Sequence, residues 1–390
     1  MTILVTGGGS GGHVTPLTAV AAELKKLDPT IDIQFVGQRH DRFGDIVASS
    51  AYIDGSRRIF AGKFRRYHSE GWRQLLDIKT ILLNVRDLFY FLFGTLQSIW
   101  LIRRVRPDVV FVKGGFVGVP VGLAAAFWRV PYITHDSDAI AGLANRIIAR
   151  WATKHAVALP AALYKSYPSS KTVTTGVPIA SEYHHVTKRT RDVQRKDLDL
   201  PLEATIVLVT GGGLGSKVVN DAAIRVLPAL LKDRQDLYVV HTAGQAHAEA
   251  VATGYASALL GDEPTRVRVL PFTSELYKYS GAADIVIARA GATNVAELAA
   301  QGKATIVVPS PYLAGGHQLK NAESLAAQHA VVVVDERKLV TDAEPLRDAL
   351  EWLLDNAEER EALAARFYDL ANPRAAHDLA VLLLEVKTKH

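Results

Sequence analysis

The feature that most constrains the fold is a strand that runs into a glycine-rich turn, and it occurs twice. The stretches ILVTGGGSGG (residues 3–12) and IVLVTGGGLGS (residues 206–216) lie about 200 residues apart. In each stretch an aliphatic, β-branched run is followed by glycines and then by a helical pattern, which is how nucleotide-binding βαβ units begin. The repetition predicts two similar α/β domains rather than one large core.

Short β-branched runs alternate with helical patterns along both halves of the 390-residue chain. This rhythm predicts a doubly wound parallel sheet in each half, and we expect two Rossmann-like domains that face a common cleft. The expected division is a first domain over 1–180, a charged linker over 181–203 and a second domain over 204–372, with a final helix at 373–390 rejoining the first. The predicted strands are Ile3–Thr6, Ile33–Gly37, Asp108–Lys113, Pro131–His135, His155–Pro160, Lys171–Gly176, Thr205–Gly213, Leu237–Gly244, Arg266–Phe272, Asp284–Gly291, Thr305–Ser310 and Val331–Glu336.

Composition narrows the chemistry that is open to the chain. Cysteine is absent, which excludes disulfides, thiolate metal ligands and a cysteine nucleophile. Hydrophobic residues make up 48% and charged residues 22%, a balance typical of globular proteins, which argues against a disordered or fibrous chain. The opening MTILVTGGG carries no basic region before an apolar stretch, so we expect no signal peptide and a cytoplasmic location.

Residues 57–106 combine positive charge with aromatic side chains. Eleven Lys and Arg stand against three Asp and Glu, and the run LFYFLFGTLQSIWLI fills residues 88–102. A membrane-spanning helix needs about 20 apolar residues. This run has 15 and follows directly on Arg86 and Asp87, so we expect that it does not span a membrane. The window fits a helix buried in the domain, a surface for an anionic membrane, or a helix with one face for each. A nucleic-acid surface fits less well, because these aromatics lie in a helical run rather than on a stacking sheet.

The first glycine turn ends at His13. Backbone N–H groups in such a turn can bind a phosphate or a sugar, so Gly11, Gly12 and His13 are candidate binding residues. A histidine here can take a proton from a hydroxyl as a general base, and helix capping is the alternative. The same glycines match the dinucleotide fingerprint G-x-G-x-x-G, but Gln38 stands where that fingerprint expects an acid, which argues against NAD.

The second half carries a set of residues suited to a nucleotide sugar. A tight turn at Gly291 follows a strand and opens a helix, so its N–H groups suit a diphosphate. The carboxylate of Glu297 can accept hydrogen bonds from ribose hydroxyls, or it can serve only the helix dipole. The amides of Gln318 and Asn321 lie one helical turn apart and can bind sugar hydroxyls or cap the helix. The donor-binding candidates from these patterns are Gly213, Leu214, Gly215, Gly291, Ala292, Thr293, Glu297, Gln318 and Asn321.

Seven short motifs occur along the chain in this order: GGGSGGHVTP, KGGFVGVPVGLAA, IAGLANR, TGVP, GGGLG, ARAGATNVAELAA and HQLKNAE. Together they resemble, over nearly the whole chain, the MurG family of lipid-linked N-acetylglucosaminyl transferases. The resemblance implies a GT-B fold without cofactor or bound metal, acting at the cytoplasmic face of the cell membrane as a peripheral protein. It also implies transfer of GlcNAc, with inversion, from UDP-GlcNAc to the 4-hydroxyl of MurNAc in undecaprenyl-pyrophosphoryl-MurNAc-pentapeptide (lipid I), giving lipid II.

The resemblance also assigns roles to individual residues. On the acceptor side it points to the motif glycines Gly114 and Gly115, to Asn145, and to His13 as general base or acceptor binder. Apart from the resemblance, Asp138 is the alternative candidate for the base. On the donor side the resemblance assigns Phe272 to the uracil, Arg289 and the turn over 290–293 to the nucleotide, Glu297 to the ribose, and Gln318 to the GlcNAc hydroxyls.

Three departures from the family pattern bear on these assignments. Ala180 stands where the family has an arginine, and Gly213 stands where it has a serine, so the contacts available to UDP differ. The family's H-E-Q-N is His135–Asp138 here, which leaves open a different acceptor or acceptor peptide. That tetrapeptide contains D-x-D, a metal–nucleotide motif of another glycosyltransferase architecture. A second D-x-D at 197–199 shows how readily the pattern arises by chance.

Other functions stay open at this stage. A transferase of the same architecture could use another hexose or another lipid, such as diacylglycerol. A UDP-GlcNAc 2-epimerase shares the architecture but has no need of a basic, aromatic surface. A non-catalytic protein that binds a sugar nucleotide or a membrane is the alternative from another class, and the departures at Ala180, Gly213 and Leu214 would then mark lost activity.

Overall fold

The computed structural model describes residues 1–8, 12, 14–39, 41–63, 78–312 and 316–386. The chain forms two compact units: Met1–Ala180 with Asn372–His390, and Ser181–Ala371. The candidates Gly11 and His13 and the middle of the basic, aromatic window lie outside the described residues.

The first unit is built on a seven-stranded parallel sheet. Its strands are β1 (Thr2–Gly7), β2 (Asp32–Gln38), β3 (Gly55–Ile59), β4 (Val109–Gly114), β5 (Tyr132–Asp136), β6 (Lys154–Val157) and β7 (Thr172–Thr174), and its helices up to residue 180 are α1 (Thr15–Leu27), α2 (Arg42–Ala48), α3 (Ile78–Val105), α4 (Gly118–Phe127) and α5 (Leu143–Ile148). The strand order is β3-β2-β1-β4-β5-β6-β7. Every residue of β4 and β5 is buried, as expected where helices cover both faces of a sheet.

The second unit repeats this plan with a six-stranded parallel sheet. Its strands are β8 (Thr205–Thr210), β9 (Leu237–Thr242), β10 (Val267–Leu270), β11 (Ile285–Ala288), β12 (Ala304–Val307) and β13 (Val332–Val333). Its helices are α6 (Lys188–Asp197), α7 (Lys217–Asp233), α8 (Ala248–Ala258), α9 (Leu276–Ala282), α10 (Ala292–Gln301), α11 (His317–Ala326), α12 (Glu336–Leu339), α13 (Glu344–Asp355) and α14 (Ala357–Asp369). The strand order is β10-β9-β8-β11-β12-β13.

Both sheets have the doubly wound order, which confirms the predicted α/β fold class. In each sheet the strand order reverses beside the first strand of the unit, between β1 and β4 and between β8 and β11. Ligands of such folds bind in the crevice outside the carboxyl ends of the strands at this reversal. The structure therefore directs attention to the loops that follow β1, β4, β8 and β11.

The segment 181–203, predicted as a linker, is instead an integral part of the second unit. It contains α6, which begins at a capping box formed by Thr187 and Thr190. Arg195 on this helix is 1% exposed and donates to Asp284 at 2.7 Å, at the start of β11. The linker prediction is wrong here because a high density of charge was taken to mean solvation, whereas this arginine is buried with a carboxylate partner.

The last helix, α15 (Ala375–Val386), belongs to the first unit. Its buried residues Leu379, Ala380 and Leu383 join the core on the side of the sheet covered by α1. After Ala371 the polypeptide therefore returns to the first unit.

Helix α3 has one side packed on the protein through small residues and another side that exposes large apolar side chains, while its last turn buries Leu101 and Ile102. Gly94 and Ser98 are buried, and a Cβ on Gly94 would overlap the carbonyl oxygen of Phe60. The opposite side carries an apolar stripe at helical spacing, each member between 48% and 65% exposed: Leu82, Val85, Phe89, Leu92, Phe93, Leu96 and Trp100. Among the described residues, no helix combines the length and apolarity that crossing a bilayer requires.

Candidate functional site

The crevice of the second unit begins at the glycine turn after β8. Gly212 and Gly215 have φ of 80° and 77°, a region that a side chain at Cβ disfavours, which explains why this turn is so rich in glycine. Ser216 then caps α7 by accepting a hydrogen bond from the N–H of Val219. The predicted donor residues Gly213 and Leu214 are exposed at this turn, and Leu214 is 72% exposed.

A second turn at the same end of the sheet joins β11 to α10. Gly291 is the N-cap residue of α10, so the free N–H groups at the start of that helix, those of Ala292 and Thr293 among them, lie at this edge. The helix ends cleanly because Gly302 adopts the left-handed conformation at its C-cap. The unit thus places two helix N-termini, of α7 and α10, beside the strand reversal, which is an arrangement suited to an anion.

Gln318 and Asn321 on α11 hold this second turn in place. The Nδ2 of Asn321 donates to the carbonyl of Ala290 at 3.1 Å, and the Oε1 of Gln318 accepts from the N–H of Ser310 at 2.9 Å. Both side chains are 8% exposed, and the Nε2 of Gln318 points towards Gly291. The structure therefore brings the two predicted amides to the turn, with their oxygens and nitrogens partly engaged by backbone.

Arg289, which the resemblance assigns to the nucleotide, has two contacts within the protein. Its guanidinium donates to Glu336 at 2.6 Å and to the carbonyl of Val308 at 3.2 Å. The carboxylate of Glu336 comes from the start of α12, so the arginine ties together the ends of β11 and β12 and this helix.

Glu297 lies in the second turn of α10, and its carboxyl group is buried. Among the residues that the structure describes, it forms no hydrogen bond or ion pair, and burial raises its pKa to about 8. The phenol of Tyr183 lies close enough to interact electrostatically with it, and burial together with this carboxylate raises the Tyr183 pKa. A carboxyl group at a predicted ribose position is chemically suited to accept hydroxyl donors.

Phe272 follows β10, at the outer edge of the same sheet. It is 52% exposed, which leaves its ring accessible for stacking on a flat ligand. The strands β9 and β8 separate it from the turn at Gly291. The predicted donor residues thus extend along the carboxyl edge of the sheet, from an aromatic ring at one end to amides at the other.

In the first unit, two glycine turns pack directly against each other. Gly114 ends β4 opposite Gly7 on β1, and Gly115 follows with φ of 77°. A Cβ on Gly115 would overlap the carbonyl oxygen of Gly8, so no side chain fits between the turns. Gly12 is exposed beyond them. The predicted acceptor glycines that the structure describes therefore lie at the strand reversal of this unit.

A buried charged cluster adjoins these turns, and its lysine was missed by sequence reasoning. Lys113 is 2% exposed at the end of β4, and burial lowers its pKa to about 8 although Asp136 and Asp138 favour its charged form. The carboxylate of Asp136 accepts from Tyr167 at 2.6 Å and from the N–H of Gly142 at 2.8 Å. A single lysine inside an apolar strand run carries no sequence signal of such a partner.

Asn145 and the motif His135–Asp138 form the loop beside this cluster. The Nδ2 of Asn145 donates to the carbonyl of His135 at 2.9 Å and to Asp136 at 3.0 Å, so this predicted acceptor residue also shapes the loop. Desolvation by burial, with a smaller effect of the Lys113 charge, lowers the pKa of His135 well below its ordinary value. Asp138 is partly exposed, and its carbonyl accepts from Tyr164 at 2.8 Å.

The first acid of the D-x-D pattern, Asp136, is engaged within the protein. Asp136 is occupied by the hydroxyl, amide and backbone donors that surround it. No group of three or more His, Asp or Glu side chains is close enough to hold a metal ion in the described ranges.

Comparison with known proteins assigns the family. The profile of the glycosyltransferase family 28 N-terminal domain matches residues 3–157, and that of the family 28 C-terminal domain matches residues 206–379. The chain belongs to glycosyltransferase family 28. Each family domain begins at a strand–glycine-turn repeat, β1 or β8, so the two repeats that opened the sequence argument mark the two halves of a family 28 protein.

Relatives within the family agree with the resemblance to MurG, which is confirmed. A UDP-N-acetylglucosamine--N-acetylmuramyl-(pentapeptide) pyrophosphoryl-undecaprenol N-acetylglucosamine transferase of Caldicellulosiruptor saccharolyticus is 33% identical over 386 residues, covering 99% of this chain and 98% of the relative. The crystal structure of Acinetobacter baumannii MurG matches with a TM-score of 0.70 and 25% identity, covering 98% of this chain and 99% of that one.

A UDP-GlcNAc 2-epimerase from Neisseria meningitidis, solved with UDP-GlcNAc, matches with a TM-score of 0.66 over 99% of this chain and 100% of that one. Its identity is 14%, so the likeness shows a shared fold alone.

Proposed function

We propose that this family 28 chain transfers GlcNAc, with inversion, from UDP-GlcNAc to the 4-hydroxyl of MurNAc in lipid I to form lipid II. The observation that carries the proposal is the edge of the second sheet. There, two helix N-termini, the carboxyl group of Glu297 and the amide of Gln318 converge at the strand reversal. Full-length similarity to a relative named for this reaction supports the choice of donor and acceptor.

The second unit holds the donor in this proposal. Phe272 stacks on the uracil, the carboxylate of Glu297 accepts hydrogen bonds from the ribose hydroxyls, and Gln318 contacts the GlcNAc hydroxyls. The N–H groups at the starts of α7 and α10 bind the diphosphate. As the bond between C1 and the phosphate oxygen breaks, these dipoles stabilise the negative charge that UDP carries away.

The first unit presents the acceptor. The hydroxyl oxygen of MurNAc bonds to C1 while a general base removes its proton, and the base proposed here from the sequence is His13, with Asp138 as the alternative. The glycine turns at Gly115 and Gly12 allow the acceptor to approach the backbone closely. His13→Ala is expected to lower kcat by about 10²–10⁴-fold, the usual contribution of a general base.

Contact with the membrane surface is the third part of the proposal. The apolar stripe of α3 lies beside arginines, with the guanidinium of Arg104 5.2 Å from the ring centre of Trp100 and that of Arg103 5.1 Å from Trp128. An exposed apolar helix face with adjacent positive charge suits an anionic lipid surface. Residues about 57–106 would thus bring the first unit to the cytoplasmic face of the membrane, where a lipid-borne acceptor is found.

A radiolabel transfer assay tests the proposal. The protein is incubated with UDP-[¹⁴C]GlcNAc and lipid I in anionic vesicles, and label in the organic extract is measured against reactions with diacylglycerol or without acceptor. We expect label to move to lipid I alone. Transfer to diacylglycerol instead would indicate the other-acceptor reading of the His135–Asp138 departure. Binding of UDP-GlcNAc without transfer to any acceptor would indicate a non-catalytic homologue.

A further inference from the structure

A hydrogen-bond network of buried polar side chains adjoins the glycine turn of the second unit. The hydroxyl of Tyr255 on α8 lies 3.0 Å from Nδ1 of His241, and Nε2 of His241 lies 3.1 Å from Oδ1 of Asn220. The Nδ2 of Asn220, on α7, donates to the carbonyl of Ala243 at 2.9 Å. Tyr255, His241 and Asn220 are 3%, 0% and 1% exposed, so the network is buried away from solvent.

The carbonyl of Ala243 determines the direction of every hydrogen bond in this network. A backbone carbonyl only accepts, so Asn220 turns its NH₂ group to Ala243 and offers its oxygen to the histidine. His241 must then donate from Nε2, and its Nδ1 accepts from the hydroxyl of Tyr255. Burial lowers the pKa of His241 to about 3, so the imidazole stays neutral and each of its nitrogens has a partner.

The carbonyl of Ala243, at the end of the network, packs directly against the glycine turn. A Cβ on Gly215 would overlap the carbonyl oxygen of Ala243, and a Cβ on Gly244 would press on the carbonyl oxygen of Leu214. The two turns therefore touch backbone to backbone, with no side chain between them. Where the Ala243 carbonyl lies determines where Gly215, and the start of α7 directly after it, can lie.

We propose that Tyr255, His241 and Asn220 are positioning residues that hold the turn 211–215 and the N-terminus of α7 in the geometry required by the donor's diphosphate. The inference rests on the proposed function, because that function places a uridine diphosphate sugar at this turn. It adds residues that touch neither substrate and that lie behind the binding surface. Their contribution is specific to the phosphate groups, since the uracil and ribose contacts are made elsewhere on the sheet edge.

Calorimetry with UDP and with uridine tests this inference. His241→Leu is expected to raise the Kd for UDP about tenfold, the effect of roughly one lost hydrogen bond, while the Kd for uridine changes less than about twofold. The KM for UDP-GlcNAc is expected to rise by a similar factor, with the KM for the lipid acceptor unchanged. His241→Gln retains an N–H donor for Asn220 and is expected to restore most of the UDP affinity.

Controls separate positioning from general loss of structure. His155→Leu removes another fully buried histidine, which bonds to Thr134 in the first unit, and is expected to leave UDP affinity unchanged. Tyr255→Phe removes only a hydroxyl and provides a milder variant, with a smaller change in the same direction, should His241→Leu not fold. Equal changes for UDP and uridine, or none for either, would overturn the inference. A wild-type protein that does not bind UDP would contradict the proposed function itself.

Discussion

Arg289 and Glu336 form an ion pair across the carboxyl edge of the second sheet, with Nη2 2.6 Å from Oε1. The side chain of Glu336 is 2% exposed and that of Arg289 is 14% exposed, so both charges are largely removed from water. The guanidinium also donates to the carbonyl of Val308. The residue that the family resemblance assigns to the nucleotide is thus engaged by Glu336 and Val308 among the described residues.

Glu336→Ala is expected to destabilise the second unit by about 3–5 kcal/mol, because it leaves the guanidinium of Arg289 buried without its counter-charge. The measurement is the free energy of unfolding from urea titration. The exposed pair of Arg234 and Asp355 provides the control, since its carboxylate side chain is 57% exposed and Asp355→Ala should cost less than about 1 kcal/mol. Equal losses in the two variants would contradict the structural importance of the buried pair.

The glycine turn after β8 offers a matched pair of substitutions. Gly212 and Gly215 have nearly the same positive φ, but a Cβ on Gly212 meets open space whereas one on Gly215 overlaps the carbonyl of Ala243. Gly212→Ala should cost only the backbone strain of about 1–2 kcal/mol. Gly215→Ala should cost clearly more, because the turn must move away from Ala243. Thermal unfolding of the two variants side by side measures the difference, and similar melting temperatures would argue against the contact.

The raised pKa of Glu297 leads us to expect that donor binding depends on pH. Its folded pKa of about 8 means that the free protein holds a proton at neutral pH, while acceptance of ribose hydroxyls favours the ionised form. Binding must then release that proton, so affinity rises with pH up to about 8. From the ionised fraction, the Kd for UDP should fall about 25-fold between pH 6.5 and 8.5.

Glu297→Gln is the control for this pH dependence, because the amide does not titrate and any remaining slope reports the phosphate of UDP. Stability should change in the opposite sense. A carboxyl group whose pKa is raised on folding makes the folded state less stable as pH rises from about 4.5 to 8, and the glutamine variant should lose that decline. A UDP affinity that is equally pH-dependent in wild type and Glu297→Gln would show that this carboxyl group does not contact the ribose.

The fold was predictable wherever burial left a mark on the sequence. The run over β4 is apolar up to Lys113 because helices cover both of its faces. Strand β3 was missed because it is an edge strand that carries the charged residues Arg57 and Arg58. Charged residues protect an exposed sheet edge, but they also remove the apolar pattern that marks a strand in the sequence. Helix α6 was missed as a packed element for a related reason, since the charge of Arg195 is hidden by a partner far along the chain.

The site was predictable only in its local parts. Glycine turns and helix starts are written in consecutive residues, and the structure places Gly215 and Gly291 where the motifs suggest. Long-range partners leave no such trace. The Arg289–Glu336 pair spans 47 residues and the contact between His241 and Asn220 spans 21, so only the fold reveals that these side chains meet.

The apolar stripe of α3 provides the test of membrane contact. Leu96 and Trp100 are 65% and 61% exposed, and their transfer from water should strengthen binding to a bilayer. A Leu96→Ser, Trp100→Ser double variant should bind phosphatidylglycerol vesicles at least about tenfold more weakly in a sedimentation assay, because each buried side chain contributes about 1.5–3 kcal/mol. Leu260→Ser, at a 73% exposed position in the second unit, should bind as wild type does. Higher salt should weaken wild-type binding by screening the arginines. Wild-type affinity in the double variant would mean that another surface meets the membrane.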